Sequence, residues 1–327
     1  MYYMGEDKTT QDITTTERRL STMTTTIQNQ NYGVEIELTG ITRIKAAQII
    51  AEHFGTNTVN NHLHDGYDSS RALDRKGRWW KCMRDGSIRP ERKVGGRMMY
   101  AGEEMKCEVV TPILQYDDMD DLQEVIRKLR TAGAIANDSC GIHVHVDGAN
   151  HNPDSLVRLL NLTVGRQELI YEALEIGDRG NRWCKRISRD LLTAMKRDKI
   201  RSKSSVEKIW YSPANDNYHG GVSHSHYNDT RYHGVNLHAF FTKGTVEFRL
   251  FNGTTHAGKI KAYVQFCLAM SAWAINSKDT YYFQSLEGRD KAKAFEDLLI
   301  RRLNMKGKEF ETARYHLLGV LENRNAA

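Results

Sequence analysis

Three segments of this sequence carry ionisable residues two positions apart, with a hydrophobic residue between them. The pairs are Glu35 with Glu37, His143 with His145, and Glu247 with Arg249. Because side chains two positions apart on a β-strand point to the same side, each segment is predicted to be a strand with one polar and one apolar face. A sheet surface of carboxylates, imidazoles and a guanidinium is unsuited to a packed core. It favours divalent metal ions that carry a phosphorylated ligand.

Each pair by itself has an ordinary structural explanation, and only their combination favours a metal site. A Glu-x-Glu strand is commonly a solvated sheet face, His-x-His can be two hydrogen-bonded residues beside a loop, and Glu-x-Arg can be a surface ion pair. A fourth predicted strand adds Glu108. If these strands adjoin, each unpaired buried charge costs several kcal/mol, which bound cations would offset. Oxygen ligands with one or two imidazoles favour Mg²⁺ or Mn²⁺ over zinc.

The elements that would position these residues alternate between strands and helices, which indicates an α+β fold with a mostly antiparallel sheet. Helices are predicted at Thr42–Phe54, Asp117–Ala132, Pro153–Leu174, Lys259–Ile275, Leu286–Leu303 and Lys308–Glu322. Further strands are predicted at Met105–Thr111, at Val235–Phe241, and in a hairpin of Trp79–Arg84 and Ile88–Glu91 around Asp85-Gly86. Residues 57–72 are predicted to be loop and residues 94–103 to be mobile.

The chain is predicted to hold a single catalytic domain at residues 31–327, after a disordered, threonine-rich arm at residues 1–30. With 327 residues it can bury a sizeable core. Residues 177–233 are predicted to be an insertion within that domain. The insertion would combine a basic segment with a flexible loop, because it is crowded first with Arg and Lys and then with Gly, His, Asn and Ser.

The composition narrows the class of protein without identifying it. A net charge of +6 is a modest excess that suits a polyanionic ligand such as a nucleotide. The five cysteines contain no CxxC pair, which favours reduced thiols in a cytoplasmic setting over a structural zinc site or a disulfide framework. We expect no signal peptide and no bilayer-spanning segment, and therefore no membrane partner.

Several motifs resemble those of a known family. The segment Gly141-Ile142-His143-Val144-His145 resembles the Gly-x-His-Val-His segment of glutamine synthetases, and Glu247-Phe248-Arg249 resembles their Glu-x-Arg. The ordered set resembles the amidoligase family more closely, within the larger group of glutamine synthetase-like and glutamate–cysteine ligase-like carboxylate–amine ligases. The motifs that carry this resemblance are Tyr32–Glu37, Asp85-Gly86-Ser87, Glu108–Pro112, Cys140–His145 and Thr245–Thr254.

The resemblance implies a fold and an activity. The fold would be a curved, mostly antiparallel sheet of the glutamine synthetase/glutamate–cysteine ligase type, with helices packed on its outer face. The activity would be ATP-dependent formation of an amide or peptide bond through an acyl phosphate, with ATP and two Mg²⁺ or Mn²⁺ ions as cofactors. The partners would be a carboxylate and an amine substrate, with a peptide or protein among the candidates.

The resemblance also assigns roles to individual residues by position. The ligands of one metal ion would be Glu35, His143 and Glu247, and those of the other would be Glu37 and Glu108. His145 would contact an ATP phosphate, and Arg249, with Glu247, would serve catalysis by steadying the γ-phosphoryl group or the acyl phosphate. Asp85 is a further catalytic candidate, although it could equally be a turn residue, and Asn236 is a further candidate for cofactor binding.

Two other functions are compatible with the sequence. Carboxylates and imidazoles can also activate water, so a metal-dependent hydrolase is the first alternative. The second is a non-catalytic nucleic-acid-binding protein that uses the Arg/Lys-rich residues 177–208. Four acidic residues within that segment make it less basic than its arginines and lysines suggest, so nucleic acid is the less favoured partner.

Overall fold

The computed structural model of the protein describes residues 24–198, 200, 202–215, 221–278 and 288–325. Eight strands form one sheet in the order β2-β3-β4-β7-β1-β8-β10-β9, and every neighbouring pair in it is antiparallel. A separate two-stranded sheet pairs β5 with β6. The strands are β1 (Tyr32–Leu38), β2 (Val59–Leu63), β3 (Ser69–Leu73), β4 (Trp79–Met83), β5 (Glu91–Val94), β6 (Arg97–Tyr100), β7 (Cys107–Val110), β8 (Gly141–Asp147), β9 (Val235–Asn236) and β10 (Thr245–Asn252).

The long helices among the described residues cover one face of the large sheet. The α-helices are α1 (Arg43–Phe54), α2 (Met119–Thr131), α3 (Pro153–Ala173), α4 (Arg179–Arg182), α5 (Arg189–Arg197), α6 (Lys203–Trp210), α7 (His238–Lys243), α8 (Ala257–Asn276), α9 (Lys291–Asp297) and α10 (Glu311–Asn325). Helix α1 packs on β3 and β4, and α8 packs on β8 and β1. Helices α2, α3 and α10 then surround α8, so the main core lies between the sheet and these helices.

Alternation along the central strands separates the core from the opposite face of the sheet. Val34 and Ile36 of β1, Val144 of β8 and Phe248 of β10 are fully buried on the helix-covered face. Burial of aliphatic and aromatic side chains is the main favourable term in folding, so this face fixes how the strands are oriented. The residues between them must therefore project from the other face. The predicted antiparallel sheet with helices on one face is confirmed, and its assignment to the glutamine synthetase type stays a prediction.

A β-bulge interrupts the polar row on β10. Phe248 lies opposite Val144, whereas Phe251 lies opposite Ile142, so β10 contains one residue more than β8 over this stretch. The extra residue moves Phe251 onto the apolar face, where it is fully buried and stacks on Tyr263 of α8. Such bulges redirect side chains locally, and here the bulge separates Arg249 from Asn252, which lies opposite Gly141.

Three local predictions were wrong. No hairpin forms around Asp85-Gly86, because β4 pairs with β3 and β7 instead. Residues 57–72, predicted to be loop, contain β2 and most of β3. The strand predicted at Val235–Phe241 ends at Asn236 and is followed by α7. Residues 94–103 include the second half of a hairpin that turns at Gly95-Gly96, where φ is 55° and 83°, and their mobility stays a prediction.

Parts of the predicted arm and of the predicted insertion pack on the helices of the core. Residues 1–23 of the arm and residues 199, 201 and 216–220 of the insertion lie outside the described residues. Residues 24–30 pack on α8, since Ile27 is buried and Gln30 donates to the carbonyl of Leu268 over 3.0 Å. In the insertion, α5 and α6 bury Leu191 and Trp210 and pack on α3. No helix in the described part of the chain has the length and apolar character needed to cross a membrane.

Candidate active site

The strand register brings the three polar pairs together on the face of the sheet that the helices leave open. Strand β1 lies between β7 and β8, which places Glu37 opposite Glu108 and Glu35 opposite His143. On the far side of β8, His145 lies opposite Glu247 of β10. These residues are distant in the sequence, so their proximity is a product of the fold.

Glu35 is the centre of the cluster, because both of its oxygens contact an imidazole. Its Oε2 lies 3.0 Å from Nδ1 of His143, and its Oε1 lies 3.1 Å from Nε2 of His145. The other ring nitrogen of His145, Nδ1, lies 3.0 Å from the hydroxyl of Thr245, which fixes the orientation of the ring. The ammonium of Lys243 reaches to 3.8 Å from Glu35 Oε1.

Glu247 is held from two sides within the same surface. Arg249 donates from Nη1 to its Oε1 over 2.6 Å, and Asn236 donates from its amide to its Oε2 over 2.6 Å. The Asn236 carbonyl oxygen accepts the backbone N–H of His238, so both ends of that amide are used inside the protein. Asn236 therefore positions Glu247, and its predicted contact with a cofactor stays a prediction.

The third part of the cluster consists of Glu37, Glu108 and Asp85. Glu37 accepts the backbone N–H of Gly141 over 2.5 Å, which directs its carboxylate across the end of β8. Asp85 lies on the loop after β4, and one of its oxygens accepts both the N–H and the hydroxyl of Ser87. The loop thus turns Asp85 towards the two buried glutamates, so this residue is both a turn residue and a member of the cluster.

Burial and mutual repulsion keep protons on part of this surface. Burial, with the neighbouring Asp85, raises the pKa of Glu37 to about 7. Burial also raises the pKa of Glu108 well above its ordinary value, reinforced by Glu35 and Glu37. Two or three carboxylates with so little solvent cannot all be charged without cations.

The part of the cluster around Glu35 and His145 is ionised. Burial opposes the charged form of Glu35, but His145 and His143 hold the pKa of its carboxylate well below the ordinary value. Burial opposes the imidazolium of His145, and the carboxylates of Glu35 and Glu247 nevertheless raise its pKa. Burial and the charge of Arg249 lower the pKa of His143 to about 4, so this ring is neutral and able to act as a ligand.

The donor atoms are spaced as metal ligands would be. Within each of three groups, one donor atom per residue lies within 4.8 Å of the others. The groups are Glu35 with His145 and Glu247, Glu35 with Glu108 and His143, and Glu37 with Asp85 and Glu108. The buried Nε2 of His145 makes no hydrogen bond, in spite of its closeness to Glu35. An unsatisfied ring nitrogen among carboxylates fits a divalent cation, and this donor set is the one that Mg²⁺ or Mn²⁺ prefers.

A family model described as "Putative amidoligase enzyme" matches residues 28–271. This chain belongs to the amidoligase family. That membership supports a ligase-type function. Among solved structures, this amidoligase is similar to a bifunctional glutathione synthetase from Pasteurella multocida, with 13% identity and a TM-score of 0.39. The alignment covers 95% of this chain and 50% of the synthetase chain, so the amidoligase spans half of that protein's length. A comparison with curated proteins finds no match.

The structure brings all nine predicted site residues of this amidoligase into one continuous region. Those nine are Glu35, Glu37, Asp85, Glu108, His143, His145, Asn236, Glu247 and Arg249. His145 forms a donor group with Glu35 and Glu247, and His143 forms one with Glu35 and Glu108. Asp85 joins the second acidic group as a potential ligand, and Asn236 lies behind Glu247.

A cleft of about 510 Å³ lies over the acidic surface of the amidoligase and is rimmed by cations. The cations that line it are Lys81, Arg84, Arg179, Arg231, Lys243 and Arg249. Aromatic residues join them, since Trp183 and Tyr232 pack edge to face with ring centroids 5.6 Å apart. An acidic floor below a basic rim is suited to a phosphorylated ligand whose charge is shared between metal ions and guanidinium groups.

Arg179 is one of the rim residues to which the sequence assigns no definite role. Its Nη1 donates to the carbonyl of Phe251, just after the bulge of β10. A Cβ placed on Gly141 would lie 2.2 Å from Arg179 Nη2, so the guanidinium fits only because residue 141 has no side chain. Gly141, the first residue of the His-x-His strand, thus leaves space for Arg179. The sequence alone does not reveal this relationship, because the two residues meet only in the folded protein.

Proposed function

We propose that this protein is an ATP-dependent carboxylate–amine ligase that acts through an acyl phosphate. The observation that carries the proposal is the convergence of three polar strand pairs on one surface, beneath a cation-rimmed cleft. A member of the amidoligase family with this surface has the groups that activation of a carboxylate requires. A carboxylate is a poor electrophile, so it must first take the γ-phosphoryl group of ATP before an amine can displace phosphate.

In this proposal the acidic surface holds two divalent ions, Mg²⁺ or Mn²⁺. Such ions would neutralise the charge that develops during phosphoryl transfer. Glu35, His145 and Glu247 would hold one ion, and Glu37 and Glu108 would hold the other. His143, whose neutral ring contacts Glu35 directly, would be a further ligand between the two groups.

Arg249 stabilises the transferring group in this mechanism. It is buried, and its position is fixed twice, by Glu247 and by a hydrogen bond of 3.2 Å from Nε to the carbonyl of Trp183. A guanidinium that is already oriented loses little entropy when it binds phosphoryl oxygens, and it presents several donors at once. Asn236 supports the same function indirectly, because its amide fixes the second oxygen of Glu247.

Asp85 is the proposed acceptor of the proton that the amine loses. It is only half buried and lies on a loop that lines the cleft, beside Glu37 and Glu108. A carboxylate at that position attracts an ammonium group, and it can take a proton as the nitrogen attacks the acyl phosphate. The acid and amine substrates would therefore meet at the Asp85 end of the cleft.

The proposal is tested by measuring amine-dependent release of ADP with mixed amino acids and polyamines, with the product weighed by mass spectrometry. Glu35→Gln and Arg249→Ala should each abolish turnover in folded protein. Glu52→Gln and Arg130→Ala change exposed residues of the same types and should retain it. Turnover that survives either site substitution would refute the assignment. Release of phosphate or of a peptide fragment without ATP would favour the hydrolase instead.

A further inference from the structure

The β5–β6 hairpin projects from the protein and exposes nearly all of its side chains. Met98, Met99 and Tyr100 are 50%, 52% and 80% exposed, and Val94 is 45% exposed. Within the described residues, β5 and β6 pair only with each other, so most backbone groups on their outer edges have no strand partner. Open strand edges beside exposed apolar side chains are typical of a surface that binds another polypeptide.

The charge of the hairpin indicates what kind of polypeptide that is. In its register Arg92 lies opposite Met99 and Val94 lies opposite Arg97, so one face alternates guanidinium groups with apolar side chains. Lys93 adds a third cation on the other face. No carboxylate occurs between Arg92 and Tyr100. A second copy of the same hairpin would be repelled by these cations, whereas an acidic segment would be attracted.

The base of the hairpin is joined to the wall of the cleft. The backbone N–H of Arg89 donates to the hydroxyl of Ser139 over 2.8 Å, and Glu91 is hydrogen-bonded to Thr39 at the end of β1. Ser139 and Ser87 both line the cleft. Ser87 precedes the first residue of β5 by four positions, a span of at most about 14 Å. A chain bound along the hairpin can therefore reach the Asp85 end of the cleft.

We propose that the β5–β6 hairpin binds an extended acidic polypeptide and directs one of its carboxyl groups into the cleft. The bound segment would add to an open edge of the hairpin through main-chain hydrogen bonds, while its carboxylates pair with Arg92 and Arg97. The assignment of this polypeptide as the acid substrate rests on the proposed ligase function. The binding itself does not.

The test measures binding without catalysis. The probe is a fluorescein-labelled deca-glutamate peptide, followed by fluorescence anisotropy at low salt with the full-length chain and no nucleotide. The double substitution Arg92→Glu/Arg97→Glu should weaken binding by about tenfold or more. A control, Lys306→Glu/Lys308→Glu, makes the same change in net charge at exposed residues away from the hairpin and should weaken binding by less than about twofold. Met98→Ser/Met99→Ser should also weaken binding, and a deca-lysine probe should not bind.

Equal weakening by the two charge variants would overturn the inference, because it would indicate general attraction to a basic protein. Absence of peptide binding would also overturn it. A dimer in sedimentation experiments that dissociates on Met98→Ser/Met99→Ser would assign the hairpin to a second copy instead. Glu35→Gln separates the two proposals, since peptide binding should persist in it. Hairpin-dependent binding in a protein without ligase activity would refute the proposed ligase function but still support the hairpin as a peptide-binding surface.

Discussion

Glu37 of β1 and Glu108 of β7 lie directly opposite each other on the open face of the sheet, and both are buried. Like charges at opposed positions of neighbouring strands destabilise a sheet, and burial removes the water that would screen them. Asp85 adds a third carboxylate to the same pair. This arrangement is unfavourable unless protons or cations neutralise it, and it is the strongest electrostatic feature of the proposed site.

We expect Glu108→Gln to stabilise the metal-free protein while weakening its response to metal. Glu108 must take up a proton when the metal-free protein folds at neutral pH, because its pKa is raised by burial and by Glu35 and Glu37. Glutamine avoids this cost, so the melting temperature in EDTA should rise by about 2–4 °C. In wild-type protein, saturating Mn²⁺ should raise the melting temperature, because an ion that binds only the folded state stabilises it. That increase should be smaller in Glu108→Gln. Differential scanning calorimetry measures both effects, and an unchanged Mn²⁺ response would contradict the assignment of Glu108 as a ligand.

Asn236→Ala tests the role of a residue that we assign to positioning. Loss of its amide removes one of the two hydrogen bonds that fix Glu247, whose donor group would then be less well ordered. Changes to such supporting residues typically cost about 10- to 100-fold in metal affinity or activity. Titration of activity against Mn²⁺ should show a higher half-saturating concentration, with much of the lost activity recovered at high Mn²⁺. Recovery would indicate that Asn236 positions a metal ligand. If Asn236 instead contacted the nucleotide directly, added metal would not restore activity.

Much of the polar surface could be predicted from the sequence because alternation is a local property. Glu35 and Glu37 had to share a face once Val34 and Ile36 were assigned to the core. Alternation does not say which strands are neighbours. That Glu108 lies opposite Glu37 depends on β7 pairing with β1, a contact between distant parts of the chain.

The errors arose where a local signal competed with long-range packing. Asp85-Gly86 is a favourable hairpin dipeptide, but β4 buries Trp80 and Cys82 by pairing with β3 and β7, and this burial outweighs the turn preference. At Asn236, the side-chain oxygen accepts the N–H of His238 and the chain turns into α7. Alternation of apolar residues continues past that point, so the sequence alone favours a longer strand.

Gly141→Ala is expected to act through Arg179. The new methyl group would lie 2.2 Å from the guanidinium as it now stands, so Arg179 must shift from this position. If Arg179 contributes to the binding of substrate, Gly141→Ala and Arg179→Ala should lower kcat/KM by similar factors. The double variant should be little worse than either single one, since residues that act through one contact are not additive. Steady-state kinetics on the three proteins measures this coupling, and fully additive losses would contradict it.

Acid should destabilise the protein through histidines that are buried in the neutral form, and His151 gives the clearest test. It lies away from the cleft, with its two ring nitrogens each 3.0 Å from a serine hydroxyl, Ser155 and Ser271. Burial, with the charges of Lys203 and Arg158, lowers the pKa of His151 to about 4. The unfolded chain therefore binds a proton at higher pH than the folded protein does. The contribution of His151 to stability is complete above the ordinary histidine pKa, and it is lost as the pH falls towards the lowered pKa of the folded protein.

We expect His151→Gln to be less stable than wild type at pH 7.5, by about 1–2 kcal/mol, because glutamine cannot satisfy both serines in the same way. Between pH 6 and pH 4.5, the unfolding free energy of the variant should fall less steeply with decreasing pH than that of wild type. The two slopes should differ by about 1 kcal/mol per pH unit. Urea unfolding at a series of pH values measures both the offset and the slope. An unchanged slope would show that His151 carries the same proton in the folded and unfolded states, whereas a shallower slope identifies it as one of the groups through which acid unfolds this protein.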